Sequence, residues 1–132
     1  MHPRSEIENT LYRYAFAYDM QGAEGIGACF TEQAEVLFST ELKVGRAAIV
    51  AELERRRGRY PEGAIPWHVI TNVFIREQRE REAVVASFFT FVLQSPGGEP
   101  VLTSIGWYDD VFVEDGDAWR VSRRRVLGAG VP

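Results

Sequence analysis

Apolar positions follow two regimes along this chain: up to about residue 60 they recur every three or four residues, and beyond Pro66 they alternate. The first regime predicts a helix over 5–21, with Ser5 as its cap, Glu8 three later as in a capping box, and Gly22 ending it. Ile7, Leu11, Tyr14 and Tyr18 form its buried stripe. A short helix is expected over 23–30, against the cost of Gly25 and Gly27. AEVLFST at 34–40 reads as a strand. GRAAIVAELERRRGRY at 45–60 reads as a third helix, with Ala48, Ile49 and Leu53 on its apolar face.

After Pro66, β-branched and aromatic residues predict long strands over 66–77, 82–95, 100–114 and 118–127. Between them stand turn signals: Arg79-Glu80, SPGGEP at 95–100, and Asp115-Gly116. Each strand is expected to pair antiparallel with the next. Helices first and a long-stranded sheet afterwards define an α+β fold in which helices cover one sheet face. A curled sheet of this kind becomes a cone-shaped antiparallel wall, with the N-terminal helices enclosing a central pocket. No internal repeat or linker divides the chain, so 1–132 reads as a single domain.

Composition narrows the partners. Eight Phe, five Tyr and three Trp in 132 residues suit a lined cavity as well as a core. A net charge of -4 argues against nucleic acid, which needs a basic surface to displace counterions. The only cysteine, Cys29, has no internal disulfide partner and no metal-ligand spacing around it, which suits a reducing compartment. The N-terminal MHPRSEIENT is polar where a signal peptide needs an apolar stretch, and no run is long enough to span a membrane. The expectation is a cytoplasmic protein that needs no cofactor and no metal.

IPWHVITNVF at 65–74 sets a histidine into an otherwise apolar strand. Alternation puts His68, Ile70, Asn72 and Phe74 on one face and Trp67, Val69, Thr71 and Val73 on the other. A buried histidine and asparagine need partners; a backbone carbonyl would serve for a structural His68, and a carboxylate for a chemical one. Asp19 is a candidate, because it ends the first helix, where the macrodipole disfavours negative charge. An Asp–His pair fixes the imidazole tautomer and stabilises the imidazolium during proton transfer. Tyr14 and Tyr18 lie on the stripe facing the core and would either pack there or polarise a substrate oxygen. On an ideal helix Tyr14 and Asp19 stand roughly 140° apart and would flank a cavity.

The order RYxxxxD at 13–19, CFTEQAEV, GRAAI, HVITN, GWYDD and DAWRVSRRRV resembles the SnoaL-like branch of the nuclear-transport-factor-2-like superfamily over nearly the whole chain. The resemblance implies an α+β cone with a deep pocket. It does not settle the chemistry, since this fold carries dehydratases, isomerases, polyketide cyclases, dehydrochlorinases and non-catalytic dioxygenase subunits. In the lyases of that group, such as bile-acid and scytalone dehydratases, a pocket aspartate and histidine act together, and Asp19 and His68 hold the matching places. Tyr14 matches the tyrosine before the aspartate in the bile-acid enzyme. Arg124, five after Trp119, fits a C-terminal arginine used by some members, although alternation groups it with Arg120 and Ser122. The second sheet histidine of scytalone dehydratase has no counterpart here.

Tyr108 is a pocket-lining candidate, and Asp110, on the same face, reads as a solvent or interface partner; Asp109 faces the other way. Arg55, Arg56, Arg57 and Arg59 suit the C-terminal end of the third helix and read as solvated or interface residues. Cys29 reads as core, Lys43 as part of a hairpin, and His2 as part of an unordered end. The candidate catalytic set is therefore His68, Asp19 and Tyr14, with Tyr18, Asn72, Tyr108 and Arg124 for substrate. The expected activity is a cofactor-independent lyase, isomerase or cyclase acting on a small hydrophobic oxygenated substrate. The alternative is a ligand-binding or assembly subunit resembling the small subunit of aromatic-ring dioxygenases. A homodimer or homotrimer is expected, since one sheet face lacks helices and Trp67, Trp107, Val111 and Val113 supply an apolar patch.

Overall fold

A computed structural model describes residues 3–128. The chain runs through α1 (Pro3–Phe16), one π-helical turn (Ala17–Gln21), α2 (Ala23–Gly27), β1 (Phe30–Phe38), β2 (Glu41–Val44) and α3 (Arg46–Arg57). Four long strands follow: β3 (Ile65–Gln78), β4 (Glu82–Gln94), β5 (Pro100–Asp115) and β6 (Ala118–Leu127). They form one curved sheet in the order β2-β1-β6-β5-β4-β3. The last four strands pair antiparallel in sequence, as expected from their turns, while β1 joins β6 in parallel. The helices lie across the concave face, and the core between them holds Ile7, Leu11, Phe30, Ile49, Phe112 and Trp119. Thr10 Oγ1 ties α1 to the sheet by donating to the buried carbonyl of Trp119 at 2.6 Å.

Several local expectations are corrected. The chain is already helical at Pro3, so Ser5 is no cap, and Glu8 pairs with Arg4 at 2.7 Å in place of closing a capping box. The first helix does not run regularly to residue 21: its last five residues widen into a π turn, closed by Gly22 N–H donating to Ala17 O at 2.7 Å. Such insertions recur at functional sites because they rotate the side chains that follow. Gly25 lets α2 approach this turn, since a Cβ there would lie 2.9 Å from that of Ala17. β1 starts four residues before the expected 34, ending α2 early. The expectation for His2 lies outside the described residues.

Register slips reset the alternation of the long strands, and those in β3 and β6 fall beside candidate site residues. In β3 the register with β4 slips between Thr71 and Phe74, and Asn72 takes φ +54° there. The shift turns Asn72 and Phe74 out to solvent and brings Val73 and Ile75 against the core. In β6 a slip opposite Val111–Phe112 separates Trp119 and Val121 from Arg124 and Val126, yet all four point inward. The sequence-based grouping of Arg124 with Arg120 and Ser122 fails for this reason.

Candidate functional site

Asp19 and His68 meet where the π turn crosses β3. His68 Nδ1 lies 2.7 Å from Asp19 Oδ1, and the His68 peptide N–H donates to Asp19 Oδ2 at 2.6 Å. The Asp19 and His68 side chains are 7% and 10% exposed, so little water competes for the pair. Opposite an ionised carboxylate the ring nitrogen must be the donor, so a neutral His68 paired in this way carries its hydrogen on Nδ1 and leaves Nε2 as the basic atom. The imidazole is held edge-on by Tyr18, at 4.6 Å between centroids, and leans on Phe91 at 4.8 Å. The π turn is pinned in its turn by α3, whose Arg57 Nε donates to Tyr18 O at 2.7 Å.

His68 opens onto a cavity inside the cone, with about 430 Å³ of empty space including its mouth. Tyr14, Tyr18, Tyr60, Phe89, Phe91, Ser104 and Tyr108 line it, and Arg56 and Phe38 stand at the α3 side. Tyr18 and Tyr60 share a hydrogen bond between their hydroxyls at 2.8 Å. Burial pushes the Tyr14 phenol up to about 12, against the pull of the Arg124 cation. Burial raises Tyr108 as well, so both phenols are proton donors at neutral pH. Gly106 shapes this wall: a Cβ there would meet the Phe89 ring at 2.7 Å, and its absence lets Phe89 stack on Tyr108 at 4.8 Å.

Behind the phenols lies a buried ion pair. Arg124 and Asp110, with side chains 2% and 0% exposed, form a bidentate pair at 2.8 and 2.9 Å. The Arg124 guanidinium stands 3.8 Å from the Tyr108 ring centroid and 4.7 Å from that of Tyr14, a cation on two aromatic faces.

The structure therefore brings Tyr14, Tyr18, His68 and Tyr108 to one cavity with Asp19 directly behind His68. It does not bring Asn72, which the β3 bulge turns outward, and it sets Arg124 behind the cavity wall. Asp110 is no solvent partner, because it neutralises Arg124 in the core. Arg56 lines the cavity with its guanidinium 4.5 Å from the Phe38 ring, in place of a purely solvated role. Sequence reasoning missed Tyr60, Phe91 and Ser104. Phe91 and Ser104 become legible only through register, as cross-strand neighbours in the row that starts at His68.

The mixed α+β cone has the nuclear-transport-factor-2-like, or cystatin-like, fold. The SnoaL-like domain model matches residues 1–125, and the chain belongs to that family. Solved structures agree on the fold. A proposed scytalone dehydratase from Novosphingobium aromaticivorans is 26% identical with a TM-score of 0.80, over 96% of this chain and 83% of that one. Aln2 from a Streptomyces species is 21% identical with a TM-score of 0.85, over 95% and 89%. ActVI-ORFA from Streptomyces coelicolor is 18% identical with a TM-score of 0.83, over 96% of each. A search of curated proteins gives no match.

Proposed function

We propose that this protein is a cofactor-independent lyase of the dehydratase type, acting by proton transfer on a hydrophobic, oxygenated small molecule. The observation that carries this reading is the doubly bonded Asp19–His68 pair at the wall of an aromatic cavity. His68 Nε2 takes a proton from carbon beside a carbonyl, and the C–H electron pair becomes the new double bond as a β-hydroxyl departs. Asp19 holds the tautomer and stabilises the imidazolium that forms. Tyr14 is the acid that protonates the departing hydroxyl, so water leaves, and the imidazolium then returns the proton to Tyr14. Tyr18 and Tyr108 orient the ligand. Isomerisation or ring closure would use the same base with a different fate for the enolate. The likeness to a proposed scytalone dehydratase leans towards elimination.

The test is a substrate screen of β-hydroxy ketones, with turnover followed by the absorbance of the conjugated product. Asp19→Asn and His68→Ala are expected to cut turnover by about 10²–10⁴-fold, with unchanged circular dichroism. Full activity in either variant on a substrate the native protein converts rules the pair out. Ligands that bind without any turnover favour the binding-subunit reading.

Self-association belongs to the same proposal. The outer sheet face carries Trp67, Val69, Phe88 and Ile105, exposed and joined across β3, β4 and β5 by register. A homodimer or homotrimer covers this face. No helix among the described residues is long and apolar enough to cross a membrane, and we place the protein in the cytoplasm with Cys29 as a free thiol.

A further inference from the structure

The Asp19–His68 pair has a second side. Away from the cavity, Tyr12 and Phe16 of α1, Met20 of the π turn and Trp67 of β3 surround a shallow depression, and Asp19 and His68 form its polar part. His68 is the one lining residue it shares with the cavity. Tyr12, Phe16 and Met20 recur every four residues and are all exposed, so the first helix carries an apolar stripe besides the buried one through Ile7, Leu11 and Tyr14. A helix that is apolar on two faces is covered on both. The depression also matters to the pair itself, because a hydrogen bond to a carboxylate strengthens as water is excluded around it. Aromatic rings exclude it on the cavity side; on the outer side the pair opens onto this depression.

We propose that a second copy of the chain seats on the depression and closes the outer side of the Asp19–His68 pair, so that the site is complete only in the assembled protein. The inference rests on the self-association proposed above and gives it a role and a place on α1. Trp67 joins the depression to exposed Val69, Phe88 and Ile105 on the outer sheet face, across the edge strand β3. Each of these seven half-exposed residues leaves on the order of 100 Å² of largely apolar surface. Together they leave roughly 700 Å², close to the ~800 Å² that each partner gives to a stable interface. The patch also suits its own copy. No lysine or arginine is among the described residues lining the depression, and its one carboxylate, Asp19, is already hydrogen-bonded twice by His68. Such a surface does not repel itself, as a self-complementary contact requires.

The test is hydrogen exchange at the His68 peptide N–H, which donates to Asp19, read beside sedimentation velocity. Native protein is compared with Phe16→Gln, since Phe16 is 59% exposed and lies outside the cavity. Leu42→Gln is the control, similarly exposed but on β2 at the far edge of the sheet. Tyr12→Gln, on the same stripe as Phe16, repeats the measurement if Phe16→Gln does not fold. The native protein is expected to assemble at micromolar concentration, and Phe16→Gln to assemble about tenfold more weakly, as for loss of an interface anchor. At a concentration between the two dissociation constants, Phe16→Gln should lose about tenfold in His68 protection, with β6 unchanged. Native protein diluted below its dissociation constant should lose the same, and Leu42→Gln should match the native protein throughout. A native protein that stays monomeric, its depression free or taken by a different partner, overturns both this proposal and self-association. An assembly as tight in Phe16→Gln as in the native protein, a His68 protection indifferent to assembly, or an equal loss in Leu42→Gln overturns this proposal alone. Neither readout needs turnover, so the lyase reading stands or falls separately.

Discussion

Both oxygens of Asp19 receive hydrogen bonds from one residue, His68, through its ring and its peptide N–H. A carboxylate held at two points cannot swing away from the imidazole, and that rigidity is what a base in proton transfer requires. Arg124 shows the opposite arrangement, a fixed charge buried behind the phenols. Its pairing with Asp110 makes both ions tolerable in the core, and removing one partner strands the other. Arg124→Met is therefore expected to destabilise the fold by about 3–5 kcal/mol. In Arg124→Met with Asp110→Leu, where no charge is left buried, most of that loss should return. Urea denaturation of the three proteins decides this, and a single variant as stable as the native protein would show that the pair contributes nothing.

At the scale of elements, what the sequence made legible was what depends on local pattern. The four long strands, their turns and the helix over 45–60 stand within a few residues of expectation, because period and turn chemistry are written locally. The Asp19–His68 pairing was legible for a different reason: each residue was out of place in its own element, an acid at a helix end and an imidazole in an apolar strand. What escaped was every effect of an inserted residue. The π turn at 17–21 re-aims Asp19, the slip at Asn72 turns that residue to solvent, and the slip opposite Val111 points Arg124 inward. A strand read by strict alternation cannot register an insertion, since one extra residue exchanges the two faces for everything beyond it. Asn72 carried a hint, because asparagine is among the few residues that tolerate positive φ.

At the scale of the whole molecule, the sheet has two working faces. The concave one is closed by helices and lined by phenols; the convex one is left with exposed Trp67, Val69, Phe88 and Ile105, more apolar surface than isolated residues explain. Sedimentation velocity is expected to find a dimer or trimer at micromolar concentration and a shift towards monomer in Phe88→Glu. A native protein that sediments as a monomer would refute the assembly. The central claim concerns the other face, that Asp19 and His68 form one proton-transfer unit. The most direct measurement is the ¹⁵N spectrum of the His68 imidazole in its neutral form, in native protein and in Asp19→Ala. The account predicts a native ring with its proton on Nδ1 and Nε2 bare, and a loss of that preference in the variant. A native proton on Nε2, or a tautomer indifferent to Asp19, would contradict it.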